Sequence, residues 1–210
     1  MEQDRLQKSV YRVNVVEVDA AEKLGSHLGT LLGDAIKACP LLLCIGTDRS
    51  TGDSLGPLVG SMLADSGIEL KGRLRILGTL DNPVHAGNLL RSLKEFSAFS
   101  GVTVALDACL GTMGQVGNVT VGRGPLKPGA GVRKILPEVG DYFITGTVNI
   151  GGFADYLVLQ NTRLSLVMKM ARVIATGIAI CFGLHPFKGP LMEAFPLALP
   201  GFHQASSHLP

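Results

Sequence analysis

Hydrophobic positions along the 210-residue chain change period several times, and each change marks an element. Residues 1–18 read as a loose arm or a short edge strand, Tyr11 to Val18. From Asp19 onward Leu24, Leu28, Leu31, Leu32, Ala35 and Ile36 recur on one helical face, with Asp19 placed to cap the helix and Pro40 to end it. Leu41 to Gly46 is then a continuous apolar run followed by a turn-rich segment, which marks a strand buried on both faces. Asp53 to Asp65 returns to a helical period. Asp53 or Ser54 can cap it, Pro57 suits its first turn, and Leu58, Val59, Met62 and Leu63 form a buried stripe before Gly67 closes it.

The same alternation continues. Arg73 to Gly78 reads as a second strand, Pro83 to Phe99 as a helix, and Val102 to Leu106 as a third strand with Asp107 at its C-terminal end. Strand, helix, strand, helix, strand implies right-handed crossovers and a parallel, doubly wound α/β sheet. Gly111 to Gly131 reads as a strand or hairpin with a structured loop, Tyr142 to Asn149 as a further strand, and Gly151 to Gln160 and Leu164 to Ile180 as helices. Residues 1–181 make one α/β domain. Phe182 to Pro210 carries five prolines and no helical period, and is expected to be an irregular tail.

Composition narrows the class. The chain is 46% hydrophobic and 5% aromatic with no Trp, which suits aliphatic strands covered by helices on both faces. A net charge of +2 leaves no basic stripe, so no nucleic-acid partner is expected. Met1 to Arg5 leads into no apolar segment of a secretory signal, and Val173 to Leu184 falls short of the ~20 residues of a spanning helix. No membrane partner is expected, and a cytoplasmic location is. Cys39, Cys44, Cys109 and Cys181 lie scattered without metal-ligand spacing, so free thiols are expected.

In an open parallel sheet, ligands bind beyond the carboxyl ends of the strands where the strand order reverses. The loops that meet there are Gly46 to Pro57 and Asp107 to Gly111. The first lacks the spacing of a phosphate loop, with neither GxxxxGK[ST] nor GxGxxG. Its Asp53 sits where a helix dipole and free N–H groups would hold a carboxylate anionic, as a base requires. Asp107 follows the largely apolar run Val102–Leu106, and burial beside a second anion would raise its pKa, as an acid requires. By spacing alone, Asp53 as a helix cap and Asp107 as a turn former is the simpler reading. His85 can reach the same crevice, Cys109 with His85 is an alternative nucleophile and base, and Asp48 and Arg49 either pair with each other or bind a substrate end.

The segments Cys44 to Pro57, Gly78 to Ala86, Asp107 to Gly111, Gly124 to Val132 and Leu159 to Arg163 look like those of the YyaC-type sporulation proteins. The resemblance covers about residues 20–180. That family is similar to the spore germination protease and, more remotely, to the hydrogenase maturation proteases, which implies a three-layer α/β/α, phosphorylase/hydrolase-like fold with a mainly parallel sheet. The germination protease has essential aspartates in an Asp-Ala-Leu-Gly-Pro loop and a strand-end Asp-Ala. These match Asp53 in Asp53-Ser54-Leu55-Gly56-Pro57 and Asp107 in Asp107-Ala108, and its Pro-Gly-Ser-Gly-Val segment is similar to Pro128 to Val132.

The resemblance implies an aspartate-dependent peptidase of the forespore or developing spore. Asp53 and Asp107 would be catalytic, and Asp48, Arg49, Ser50, Thr51 and His85 would shape the cleft for a peptide or protein substrate. A homo-oligomer is expected because related folds self-associate. The hydrogenase maturation proteases bind nickel through a His where this chain has Asn149, a poor ligand for that metal, so no metal and no cofactor is expected. The rival expectation is a non-catalytic binding or scaffold protein of the spore that keeps the fold and its cleft.

Overall fold

The computed structural model describes residues 10–69, 71–96, 99–129 and 136–184. Six strands form one sheet: β1 (Tyr11–Asn14), β2 (Leu41–Cys44), β3 (Arg75–Leu77), β4 (Thr103–Gly111), β5 (Asn118–Arg123) and β6 (Tyr142–Ile150), in the order β1-β5-β6-β4-β2-β3. β2 pairs in parallel with β3 and β4, and β4 in parallel with β6. β5 runs against both its neighbours, so the sheet is mainly rather than wholly parallel.

Among the described residues five α-helices accompany the sheet: α1 (Ala20–Leu32), α2 (Leu55–Asp65), α3 (Leu89–Glu95), α4 (Asp155–Gln160) and α5 (Leu164–Cys181). Alternate strand residues decide the layers. Leu42, Cys44, Val104, Leu106 and Ile144 face a large cluster with Leu24, Leu28, Met62, Met170 and Ile174 from α1, α2 and α5. Leu43, Ile45 and Ala105 face a smaller one with Leu89 of α3 and with Leu126 and Val139 of the loop beyond β5. The result is the three-layer α/β/α arrangement, with one thick layer and one thin.

Several boundaries differ from the periodic pattern, each for a local reason. The helix expected over Pro83 to Phe99 is only α3. The Asn88 side chain accepts the His85 N–H at 2.8 Å and donates to the Pro83 carbonyl at 2.9 Å, so 83–88 form a closed turn. Gly151 to Ala154 form the approach to α4, with Gly152 and Ala154 at positive φ. Asp19 stands at the N-cap of α1 without a capping bond, its carboxylate paired instead with Lys23 at 2.9 Å.

The apolar stretch expected at Val173 to Leu184 is the second half of the 18-residue α5, which by length and composition could cross a membrane. In this fold α5 buries Val167, Met170, Ala171, Val173 and Ile174 in the core. Phe182 is buried beyond its end, and Leu184 N–H closes on the Ala179 carbonyl at 2.9 Å. The remainder of the expected tail, 185–210, lies outside the described residues.

The α1–α5 contact depends on a missing side chain. A Cβ on Gly25 would lie 2.7 Å from the Gly177 carbonyl oxygen and 2.8 Å from Ile180 Cβ, whereas one on Gly29 would meet nothing within 4 Å. Alanine at the two positions of this one helix should therefore act with opposite sign. Gly25→Ala should cost about 2 kcal/mol, a Tm loss of roughly 4–8 °C. Gly29→Ala should gain about 0.5–1 kcal/mol from helix propensity alone. Thermal melts of the two variants beside the parent protein check the pair.

Candidate active site

The crevice exists because β2 stops early. Its last pairing is Cys44 with Leu106, while β4 and β6 remain paired through Gly111 and Ile150. Ile45 N–H still reaches the Leu106 carbonyl at 2.8 Å, but Gly46 N–H turns to the Val84 carbonyl at 2.7 Å. Gly46 has φ 144°, and a Cβ there would overlap the Asp53 carbonyl oxygen. Only glycine tolerates both conditions. Thr47 N–H then donates to that same carbonyl at 3.1 Å, closing the loop and bringing Asp53 back beside the sheet.

Asp107 was expected at a strand end and is instead the fifth residue of β4, paired with Thr145 of β6. The apolar run ends at Leu106, but β6 supplies a ladder partner past that point, so the strand continues through a polar residue. By alternation with Ala105 the Asp107 side chain faces the thin layer, beside the place where β2 has left the sheet. It is 7% exposed. Its Oδ1 accepts the Ala108 N–H at 2.8 Å and its Oδ2 accepts the Gly129 N–H at 3.2 Å. Burial outweighs those donors and, with the nearby negative charge of Asp53, pushes the carboxyl pKa from 3.8 up to about 7.

Asp53 also departs from expectation. It lies in a short 3₁₀ turn, Gly52–Ser54, ahead of α2, and no side chain caps either helix start. Ser54 Oγ donates backward to the Thr51 carbonyl at 2.7 Å rather than accepting from the helix. Burial raises the Asp53 pKa, opposed in part by neighbouring Ser50. The dipole does not hold this carboxylate low, and among the described residues its oxygens accept no hydrogen bond in good geometry. A carboxyl free of capping is free for chemistry.

Both aspartates line one cavity of about 520 Å³, a size that takes a few side chains of a ligand. Arg49, Ser50 and His85 line it with them, and Ile45, Ala86, Leu136 and Tyr156 add apolar wall. His85 Nδ1 accepts the Gly87 N–H at 3.0 Å, which leaves the proton of the neutral ring on Nε2. Asp48 and Thr51 are not among the lining residues, Asp48 is exposed, and among the described residues no ion pair joins Asp48 to Arg49.

Sequence reasoning missed Tyr156, Leu136 and the backbone contact of Gly129. Tyr156 carried a usable signal, being an aromatic residue in the first turn after the strand that flanks β4. Leu136 carried none.

Cys109 is outside the cavity lining. It sits 3.4 Å from Thr147 Oγ1, and burial raises its thiol pKa, so it is not placed with His85 as a nucleophile. Asn149 commits its amide to Thr162 Oγ1 at 3.2 Å and the Val158 carbonyl at 3.4 Å, tying β6 to the end of α4. A neutral amide already bonded elsewhere is a poor nickel ligand, so Asn149 offers that metal no donor.

A family model described as "Protein of unknown function (DUF1256)" matches residues 12–177. A relative from Bacillus subtilis (strain 168), described as "Uncharacterized protein YyaC", is 47% identical over 170 residues, covering 80% of this chain and 82% of its own. Among solved structures, the [NiFe] hydrogenase maturation protease HycI from Thermococcus kodakarensis KOD1 is similar with a TM-score of 0.49 at 15% identity, covering 73% of this chain and 97% of that one.

Raised carboxyl pKa values carry a stability consequence. Between about pH 4 and pH 7 the unfolded chain has Asp107 ionised while the fold keeps it protonated. The fold thus binds more protons, and stability falls as pH rises through that window. The full effect is on the order of 4 kcal/mol for a shift of this size. Urea midpoints measured from pH 4 to pH 8 should show this decline in the parent protein, and a clearly shallower one in Asp107→Asn.

Proposed function

The chain belongs to the DUF1256 family, and from that footing and the chemistry of its crevice we propose that it is a peptidase whose two aspartates activate water for amide hydrolysis. One observation carries the reading: two carboxyls of unequal burial share one crevice, and burial raises the pKa of both, that of Asp107 to about 7. Near neutral pH such a pair holds one proton, as a base and an acid at the same site must. The resemblance of Asp53-Ser54-Leu55-Gly56-Pro57 and Asp107-Ala108 to the aspartate segments of the germination protease points the same way.

In this reading the Asp53 carboxylate removes a proton from a water in the crevice, and the water oxygen attacks the carbonyl carbon of the scissile amide. The Asp107 carboxyl gives its proton to the leaving nitrogen as the C–N bond breaks. The proton on Asp53 then returns to solvent while Asp107 takes up another. Arg49 and the Nε2–H of His85 are donors available to the developing oxyanion. Ile45, Ala86 and Leu136 offer apolar contact to a substrate side chain. The peptide or protein substrate, the cytoplasm of a developing spore as its setting, and a homo-oligomeric state belong to the same proposal.

One observation favours a second reading. Both oxygens of Asp107 accept backbone N–H groups, one from Gly129 across the crevice, as an aspartate that merely pins a loop would. A binding protein that keeps the cleft without turnover would look the same at that residue.

Incubation with a small acid-soluble spore protein and a mixed peptide library, followed by mass spectrometry, separates the two. The peptidase reading expects discrete cleavage that is reduced about 10²–10⁴-fold in Asp53→Asn and in Asp107→Asn. It also expects activity to fall above about pH 7, where Asp107 loses its proton. Cleavage that survives both substitutions, or a parent protein that cleaves nothing, defeats it.

A further inference from the structure

We infer that Ser50 is a positioning residue whose buried hydroxyl is the donor held for the Asp53 carboxylate, an inference that rests on the reading of Asp53 as the base. The loop from Gly46 to Asp53 contains a hydroxyl with no visible structural employment. Ser50 is 5% exposed, lines the crevice, and among the described residues its Oγ has no hydrogen-bond partner of good geometry. Ser54, equally buried and four residues on, has its hydroxyl bonded to the Thr51 carbonyl. Thr47 Oγ1 accepts the Arg49 N–H at 3.3 Å. Buried hydroxyls are ordinarily paired, so one left unpaired on the wall of a crevice needs an explanation.

The partner is at hand. Asp53 lies three residues on in the same closed turn and faces the same cavity. The Thr47–Asp53 backbone bond and the close approach at Gly46 close the loop, which keeps both residues in one short turn on the crevice wall. A serine O–H can rotate to donate to an anionic oxygen, and a hydrogen bond to the charged form favours that form. Of the groups around Asp53, Ser50 is the one that draws its pKa downward against burial, although its Oγ does not meet full hydrogen-bond geometry there. Its function would be to settle which member of the pair ionises first: Asp53 has a hydroxyl donor beside it, whereas Asp107 is more deeply buried and keeps the proton.

A carbon-13 carboxyl NMR titration of the full chain tests this without reference to turnover. In Ser50→Ala the Asp53 midpoint should rise by roughly half to one pH unit. Thermal stability should hold below the Asp53 midpoint and fall slightly above it, where the ionised carboxylate has lost its donor. Ser50→Cys, which keeps the volume with a weaker donor, should shift the midpoint less and in the same direction, and it gives the reading if the alanine variant folds poorly. Ser54→Ala should lower the melting temperature and leave the midpoint in place.

With a cleaved peptide, the acid limb of kcat against pH should move by the same amount in Ser50→Ala while KM stays constant. An unmoved Asp53 midpoint in Ser50→Ala, or an equal shift in Ser54→Ala, overturns the assignment. If the midpoint moves but the parent protein cleaves no peptide, the Ser50 assignment stands and the peptidase reading falls.

Discussion

A carboxyl group inside a sheet must stay protonated or find compensating donors, and Asp107 does some of each. It accepts N–H groups from Ala108 and Gly129, yet burial still raises its pKa to about 7. The rest of the crevice follows from how that burial arises. β4 runs on past the end of β2 with only β6 beside it, so a polar side chain enters a region with an apolar wall on one side and a departing loop on the other.

Two loops converge on this carboxyl, and they are built differently. The Gly46–Asp53 loop is closed on itself by backbone contacts, which position Asp53 without using its side chain. The segment leading to Gly129 is held by the Asp107 carboxyl and by the isolated pairing of Leu126 with Val139. Asp107 is therefore part of the scaffold as well as a candidate for the chemistry, whereas Asp53 is used by the scaffold only through its main chain. Placing an ionisable group where it weakens the fold near neutral pH is a cost expected at a functional site and seldom elsewhere.

Asn149 illustrates how one residue type redirects a position. Its amide, bonded to Thr162 and to the Val158 carbonyl, fastens β6 to the end of α4, and α4 carries Tyr156 into the crevice wall. The position works here as a structural tie that shapes the cavity at one remove. The neighbouring positive φ of Ala154 and Gly152 marks the sharp approach that this tie requires.

Much of this was legible in the chain itself. The alternation of apolar runs and helical periods places β2, α2, β3 and β4 in order, and that order alone locates the switch point between β2 and β4. Both aspartates stand out because one follows an apolar run and the other opens a helix. These are local signals, carried by residues within a few positions of each other. The rest was decided by neighbours distant in sequence. Asp107 belongs to the interior of β4 only because β6, nearly forty residues later, extends alongside it. Asp53 is uncapped because Ser54 turns back to Thr51, and its loop is set by contacts across the turn. Leu136 and Tyr156 join the wall because the sheet order brings their segments to the same edge. Periodicity reports which face a residue presents. Where one strand stops relative to another is a property of packing, and that difference in length makes the crevice.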